Sequence, residues 1–397
     1  MNPTRTFAGE EALNATCARR ALAGFALSGY LMALLGAILP VWGYHLSFDF
    51  STVGDYFLNL AVGLVLGQLA AHPLIRRRGI AFGLVAACVV ACLALLGLAF
   101  AGPSAPPVSR KLGLLSIGAS TGLLNHSLFL AIAPAYRQNP AATVNMGGIF
   151  FVAGCLLAAI SVGGTFYAYS TTQILLLMAI VPAVFVAIYR NTSFPPAPPT
   201  QEPALRMSLT DVQNPAAVLL ALLLFFQFGN EWSIAGWLSV YLIHQLGISP
   251  ESSLSLLALY WISLLAGRIG AIAVLPRVAH GRLLMGSAAL AMFGCIILMS
   301  TNNRFGAVTG VLFTGLGFAS MYPLVAEKIG HRFEYYRPGL FNGIFSLAQV
   351  GATLAPASLG YLAASYGMGV VMLLPMLGTV MVALLIALIW LESKIGR

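Results

Sequence analysis

The chain has 397 residues, of which 59% are hydrophobic and only 8% are charged, whereas a soluble domain has about 25% charged residues. A soluble protein of this size could not bury so much apolar surface, so the composition predicts an integral membrane protein. The formal net charge of +9 would also suit a nucleic-acid-binding protein. The basic residues are scattered over short segments between apolar runs, however, and we expect no nucleic-acid partner.

Residues 1–19 are polar and mixed in charge. They contain no short apolar core followed by a small-residue cleavage site, so they predict a cytoplasmic N-terminal tail and no cleaved signal peptide. The apolar run that follows is long enough to remain as a spanning helix.

Apolar runs of spanning length, about 20 residues, recur along the rest of the chain and are separated by Gly, Pro and clustered charges. The division between the fifth and sixth runs is the weakest, because SVGGTFYAYS offers only a short break. The pattern predicts an all-α membrane protein with twelve transmembrane helices. The predicted spans are 20–46, 50–74, 79–102, 111–136, 141–166, 169–189, 214–246, 250–275, 281–299, 305–327, 338–366 and 368–391.

The basic residues predict the orientation of these spans, because Lys and Arg concentrate on the cytoplasmic side of membrane proteins. With both termini cytoplasmic, seventeen of the 20 Lys and Arg residues lie at cytoplasmic ends. Arg110, Lys111 and Arg304 remain on the outer side. We therefore expect a multi-pass protein of a bacterial-type inner (plasma) membrane with cytoplasmic termini.

A polar, Pro-rich stretch divides the spans into two sets of six and predicts a cytoplasmic linker at 191–213. The predicted organisation is thus a tail at 1–19, an N-terminal half at 20–190 and a C-terminal half at 214–393. The halves repeat each other at an offset of 200 residues, which predicts a duplicated, pseudo-symmetric bundle. The repeated glycines are Gly29 with Gly229, Gly36 with Gly236, and Gly67 with Gly267.

Glu231 stands in the seventh span with no Lys or Arg within twenty positions on either side. At 1.5 Å per residue it lies roughly 25 Å along its helix, near the membrane centre. An ionisable group at that depth costs a few kcal/mol and is a functional candidate. Because a buried carboxyl group can take up a proton near neutral pH, Glu231 is a candidate for proton coupling or substrate binding. The alternative is an ion pair, with Arg268, that only ties helices together.

Other polar groups lie at similar depth. His126, beside Asn125 in the fourth span, could carry protons or bind a solute hydroxyl, or it could simply link two helices. Amide and aromatic side chains in several spans would suit a hydroxyl-rich solute, although ordinary packing and the aromatic belt also account for such residues. These candidates are Tyr30, Gln227, Asn230, Tyr260, Trp261, Asn342 and Gln349.

Motifs of other function classes are missing from the sequence. There is no GxxxxGK[ST] phosphate-binding loop, no HExxH and no set of paired cysteine ligands. An intramembrane enzyme would need a catalytic pair at one depth, for which Glu231 with His126 is the one candidate. We expect no enzyme, no cofactor and no metal.

The segment QFGNEWSIAGWLSVYL resembles the seventh helix of the fucose/galactose/glucose:proton symporter branch of the major facilitator superfamily. In that pattern a glycine is followed two residues later by Glu, and a Ser, a small pair and Trp-Leu then follow in the same register. The resemblance implies roles for Glu231 and Asn125. The carboxylates that fucose transporters carry in helices one and four are missing here, and the helix-four position falls near Thr121.

The resemblance implies a secondary active transporter that works by alternating access. We expect a monomer surrounded by membrane lipid. It would carry a small polar solute, most readily a sugar, and the coupled ion would be a proton in preference to sodium. The alternatives are a proton-antiport exporter of amphipathic drugs or metabolites, and a non-transporting sensor on the same fold.

Facilitator transporters use basic loops between helices two and three and between helices eight and nine as gates. The corresponding residues here are Arg76 in LIRRRG, together with Arg268 and Arg277. The usual acidic member of the first loop is missing. Asp55, near the outer mouth of the second span, is a further candidate gating residue.

Overall fold

The computed structural model describes residues 3–46, 49–102, 106–138, 140–194, 215–274, 277–332 and 338–395. Within these ranges, the side chains of 3–15, 134–142, 330–343, 345, 346, 393 and 395 lie outside the description.

The described residues form thirteen α-helices and no strand. The helices are α1 (Pro3–Ile38), α2 (Phe50–Arg78), α3 (Ile80–Ala101), α4 (Pro107–Gln138), α5 (Pro140–Gly163), α6 (Thr171–Arg190), α7 (Pro215–Leu246), α8 (Pro250–Val274), α9 (His280–Ser300), α10 (Arg304–Ala319), α11 (Met321–Arg332), α12 (Pro338–Tyr366) and α13 (Val370–Ile395).

The helices confirm the predicted membrane architecture. Eleven stretches of the described residues are long and apolar enough to cross a membrane. One of them, Arg304–Ile329, joins α10 and most of α11 and corresponds to the tenth predicted span. The eleventh predicted span coincides with α12, of which several side chains are outside the description.

The first span ends earlier than predicted. The apolar pattern extended it to residue 46, whereas α1 ends at Ile38 and a series of turns follows. Pro40 has no N–H to continue the helical hydrogen bonds and disfavours helical geometry in the residue before it. Gly43 has a φ of +82°, which belongs to the left-handed region that glycine adopts readily. The segment is apolar, but its backbone cannot remain helical.

The tenth span is interrupted at Ser320, between α10 and α11. Pro323 lies four residues after Ala319 and cannot donate the hydrogen bond that the carbonyl of Ala319 would accept in a continuous helix. At the same point, the hydroxyl of Ser320 bonds with the hydroxyl of Ser287 on α9. Ser320 keeps near-helical dihedral angles, with a φ of −87° and a ψ of −15°, so the interruption is a single turn residue.

The chain divides into two compact units. Unit 1 consists of Met1–Met32, Asn59–Ser161 and Ala168–Thr200, and unit 2 of Ala33–Leu58, Val162–Tyr167 and Gln201–Arg397. In unit 1, α3 packs against α4 and α6. In unit 2, α7 packs against α8, α12 and α13, while α10 packs against α8 and α9.

Repeated glycines make equivalent contacts within each unit. A Cβ atom added to Gly67 in α2 would collide with the backbone of Ala119 in α4. One added to Gly267 in α8 would collide with Ala319 in α10. Glycine permits this close approach of helices, and the second and eighth predicted spans thus pack on the fourth and tenth in the same way. This agrees with the predicted pseudo-symmetry of the halves.

Candidate functional site

Glu231 is buried in the middle of α7, with 1% of its surface exposed. Its Oε1 atom lies 3.4 Å from Nη2 of Arg268 on α8, which is 5% exposed. Removing two charges from water is costly unless the ions are close and hydrogen-bonded. The pair therefore compensates two charges that could not be buried separately, and it joins α7 to α8.

Aromatic side chains surround this ion pair. The guanidinium carbon of Arg268 lies 5.5 Å from the ring centroid of Tyr322 on α11, within the range of a cation–π interaction. The hydroxyl of Tyr260 donates to the backbone carbonyl of Glu231 at 3.2 Å. The ring of Trp261 lies next to that of Tyr260, with centroids 5.2 Å apart.

Gln227 connects the pair to the interrupted helix. It precedes Glu231 by four residues and so shares its face of α7. The Nε2 atom of Gln227 donates to the carbonyl oxygen of Phe318 at 3.4 Å, immediately before the break between α10 and α11. Elements α7, α8 and the α10–α11 break thus meet around Glu231.

Several buried polar atoms along α7 and α8 make no hydrogen bond within the described residues. They are Oε1 of Gln227, Nδ2 of Asn230, Oε2 of Glu231, Oγ of Ser233 and Nε1 of Trp261. A buried polar atom without a partner costs about 1–3 kcal/mol, and native proteins contain few of them. Four of the five lie within two turns of α7. Gln227 and Glu231 share one face of α7, whereas the amide of Asn230 lies against Gly378 on α13, so these atoms are distributed around the helix.

The structure assigns the other predicted site residues to different places. In unit 1, the Oδ1 atom of Asn125 accepts a hydrogen bond from the Ser28 hydroxyl at 2.6 Å. Tyr30 is fully buried in the same unit, and His126 is half-buried on α4. In unit 2, Gln349 is half-buried on α12, which packs along α7. The side chain of Asn342 lies outside the described residues.

The predicted gating residues have different environments. Asp55 accepts a hydrogen bond from the hydroxyl of Tyr361, which links α2 to α12 within unit 2. Arg76 and Arg277 are exposed at helix ends. Arg268 is buried and paired with Glu231, so its contacts are those of the candidate site.

A set of contacts among α1, α2, α7 and α12 within unit 2 was not predicted. The rings of Phe57 and Trp237 are stacked with centroids 5.9 Å apart, and Nε1 of Trp237 donates to the carbonyl of Pro356 at 2.9 Å. The hydroxyl of Ser239 donates to the carbonyl of Gly36 at 2.9 Å. The repeated pair Gly36 and Gly236 was the sequence signal for this close packing of α1, α2, α7 and α12.

Metal ligands are not grouped in the part of the chain that the structure describes, where no three His, Cys, Asp or Glu residues could hold an ion together.

No protein-family model and no curated protein sequence matches the chain, but solved structures match nearly its whole length. The E. coli fucose:proton symporter is 14% identical, with 95% of this chain and 99% of that chain covered and a TM-score of 0.63. A nucleoside transporter is 13% identical, with 95% and 99% covered and a TM-score of 0.70. A D-xylose-proton symporter is 15% identical, with 93% and 96% covered and a TM-score of 0.72. The chain therefore has the major facilitator fold, as the seventh-helix resemblance predicted.

Proposed function

We propose that the chain is a secondary active transporter, not an enzyme, that moves a small polar solute by alternating access together with a proton. The solute is a sugar or a sugar-like compound. The observation that carries this proposal is the buried carboxylate of Glu231, which has one oxygen paired with Arg268 and the other without a partner in the described protein.

The ion pair supports proton coupling because its strength depends on one proton. An ionised Glu231 attracts Arg268 and holds α7 against α8, whereas a protonated Glu231 has no charge with which to do so. A proton that binds from one side of the membrane and leaves on the other would weaken and restore this link in each cycle. Arg268 keeps a favourable neighbour throughout, since its guanidinium lies over the ring of Tyr322.

The buried polar atoms without partners along α7 and α8 support a neutral, hydroxylated solute. Gln227 and Asn230 offer one amide acceptor and one amide donor, Ser233 offers a hydroxyl, and Trp261 offers an indole N–H. A sugar hydroxyl both donates and accepts, so it can satisfy such a mixed set. The rings of Trp232 and Trp261, with centroids 5.9 Å apart, provide apolar surface for the faces of a sugar ring.

The structures of similar fold are consistent with this choice, because two of them are of proton symporters for fucose and D-xylose and another is of a nucleoside transporter. We further propose that the chain acts as a monomer without a cofactor in a bacterial-type inner membrane, with its termini cytoplasmic and its halves at 20–190 and 214–393. The gradient that drives transport would be a proton gradient rather than a sodium gradient.

The same aromatic groups favour a second candidate, a proton-antiport exporter of amphipathic compounds. Tyr322 lies against the guanidinium of Arg268, and Tyr260, which contacts Trp261, bonds the backbone of Glu231. Such aromatic groups would suit a site that binds flat apolar molecules. The two candidates differ in the direction of solute movement relative to the proton.

Uptake into reconstituted vesicles tests the proposal. The purified protein is given radiolabelled fucose, xylose, galactose, glucose and a nucleoside, with and without an imposed inward proton gradient. We expect one of these solutes to accumulate only with the gradient. The Glu231→Gln variant should lose gradient-driven accumulation but retain exchange of labelled for unlabelled solute. Its binding site is intact, and only the carboxyl group that binds the proton is missing.

Glu251→Gln is the matched control, since Glu251 is an exposed carboxylate in the first turn of α8, and it should behave as the wild type. Gradient-driven accumulation by Glu231→Gln at the wild-type level would refute proton coupling through Glu231. Efflux of a preloaded dye without uptake of any solute would identify an exporter, and silence over the whole panel would favour a sensor.

A further inference from the structure

A cavity of about 490 Å³ lies in unit 2, away from the Glu231 site. It is lined by residues of α7, α9, α11 and α13 and is open on one side, and its volume is within the range of about 300–1,000 Å³ that ligand pockets have. The wall is formed by buried aliphatic side chains, which are Leu220, Leu223, Leu284, Val325, Ile386 and Ile389. The interior thus matches a hydrocarbon chain.

Cationic groups lie at the mouth of the same cavity. Arg282 is exposed in the first turn of α9, and Lys328 on α11 is half-buried. The first turn of α9 has no side-chain cap, so the positive end of its helix dipole adds to these charges. The nearby carboxylate of Glu327 lies 3.3 Å from Nε2 of His280. The cationic groups at the mouth therefore attract an anion, whereas the apolar wall disfavours one.

The position in the membrane further limits the occupant. Trp390, 56% exposed, lines the mouth, and Nζ of Lys394 lies 4.1 Å from the centroid of its ring. Exposed Trp and Lys side chains are typical of the membrane–water interface. The mouth is on the side to which the basic residues assign the cytoplasm, and basic pockets between helices on that side bind lipid phosphates.

We propose that this cavity binds one anionic phospholipid, with its phosphate between Arg282 and Lys328 and an acyl chain along the apolar wall. A free phosphate would leave that wall unused, and a neutral lipid would not use the two cations. Because Leu223 precedes Glu231 by eight residues, the lipid would contact α7 about 12 Å from the ion pair. It would hold four helices of unit 2 together.

Native mass spectrometry of the full-length protein tests the proposal, with phosphatidylglycerol and phosphatidylcholine of identical acyl chains as probes. We expect phosphatidylglycerol to bind more tightly. Arg282→Gln should weaken its binding about fivefold, and the double variant with Lys328→Gln about 25-fold, if each charge contributes the typical amount. Arg282→Lys retains the charge and should retain most of the binding.

Two further variants separate the site from general effects. Arg190→Gln removes an exposed charge at the end of α6 and should leave binding unchanged. Gly281→Phe should weaken the binding of both lipids, because a Cβ at Gly281 meets no atom within 4 Å and the ring can enter the mouth. If the glutamine variants do not fold, Arg282→Lys and Gly281→Phe still give the decisive comparison.

Equal affinity for the two lipids would overturn the proposal, as would an equal loss of binding in Arg190→Gln and Arg282→Gln. Inorganic phosphate provides the last comparison. If millimolar phosphate displaces phosphatidylglycerol completely, the site recognises the free anion and the proposed lipid site is wrong. Retention of the lipid under these conditions supports it.

Discussion

Removing the positive charge of Arg268 while Glu231 remains should strongly destabilise the protein. The charged atoms lie 3.4 Å apart in the buried pair, so their attraction is about 5 kcal/mol at an effective dielectric constant of 20. Desolvation offsets most of that attraction in the intact pair. Removal of one partner leaves a buried charge uncompensated, which typically costs about 3–5 kcal/mol. Replacing both residues by Gln should cost less than replacing Arg268 alone.

The measurement is the inactivation rate of purified protein in one detergent at a fixed temperature, because membrane proteins commonly unfold irreversibly and their stability is then a rate. Intrinsic tryptophan fluorescence follows the loss of structure. Arg277→Gln is the control, since Arg277 is exposed in the turn after α8 and its side chain donates to the carbonyl of Ala273. If Glu231→Gln and Arg268→Gln have additive effects in the double variant, the pair is not coupled and the reasoning fails.

Four other variants test the packing with the same assay. Gly67→Leu should cost several kcal/mol because its side chain would collide with the backbone of α4, whereas Gly97→Leu, facing open space, should be near neutral. Trp237→Phe removes a buried hydrogen bond to α12 and should cost about 1–3 kcal/mol. Asp55→Asn weakens the exposed bond with Tyr361 and should change stability by less than about 1 kcal/mol; larger effects there would contradict the assigned exposure.

The helices could be predicted because length and apolarity are local properties of the sequence. A run of about twenty apolar residues can satisfy its backbone in lipid only as a helix, which accounts for α2 to α9. The same reasoning failed after Ile38, where the residues remain apolar but Pro40 and Gly43 end the helix. An apolar segment is compatible with lipid, but its apolar composition does not determine its backbone conformation.

The candidate site was only partly predictable for a related reason. Gln227 and Glu231 share a face of α7, so their proximity follows from helical periodicity. An ion pair with Arg268 was one of two interpretations of Glu231. Only the packing of α7 on α8 brings the charged atoms of the two side chains to 3.4 Å from each other. The contact with Tyr322 depends on three helices and on a break in one of them, and no periodicity in the sequence describes such an arrangement.

The 200-residue repeat distinguishes the packing residues that both halves share from the ionisable residue that only one half contains. Gly67 and Gly267 recur at this offset, and Cβ atoms added to them would meet Ala119 and Ala319, which are also 200 residues apart. Glu231 corresponds at the same offset to Leu31, which is buried and apolar. The ionisable group therefore belongs to one half only. The carboxylate is paired with Arg268 on α8, whose guanidinium lies over the ring of Tyr322 on α11. Under the proposed proton coupling, a change in the charge of Glu231 would therefore first alter contacts in the C-terminal half.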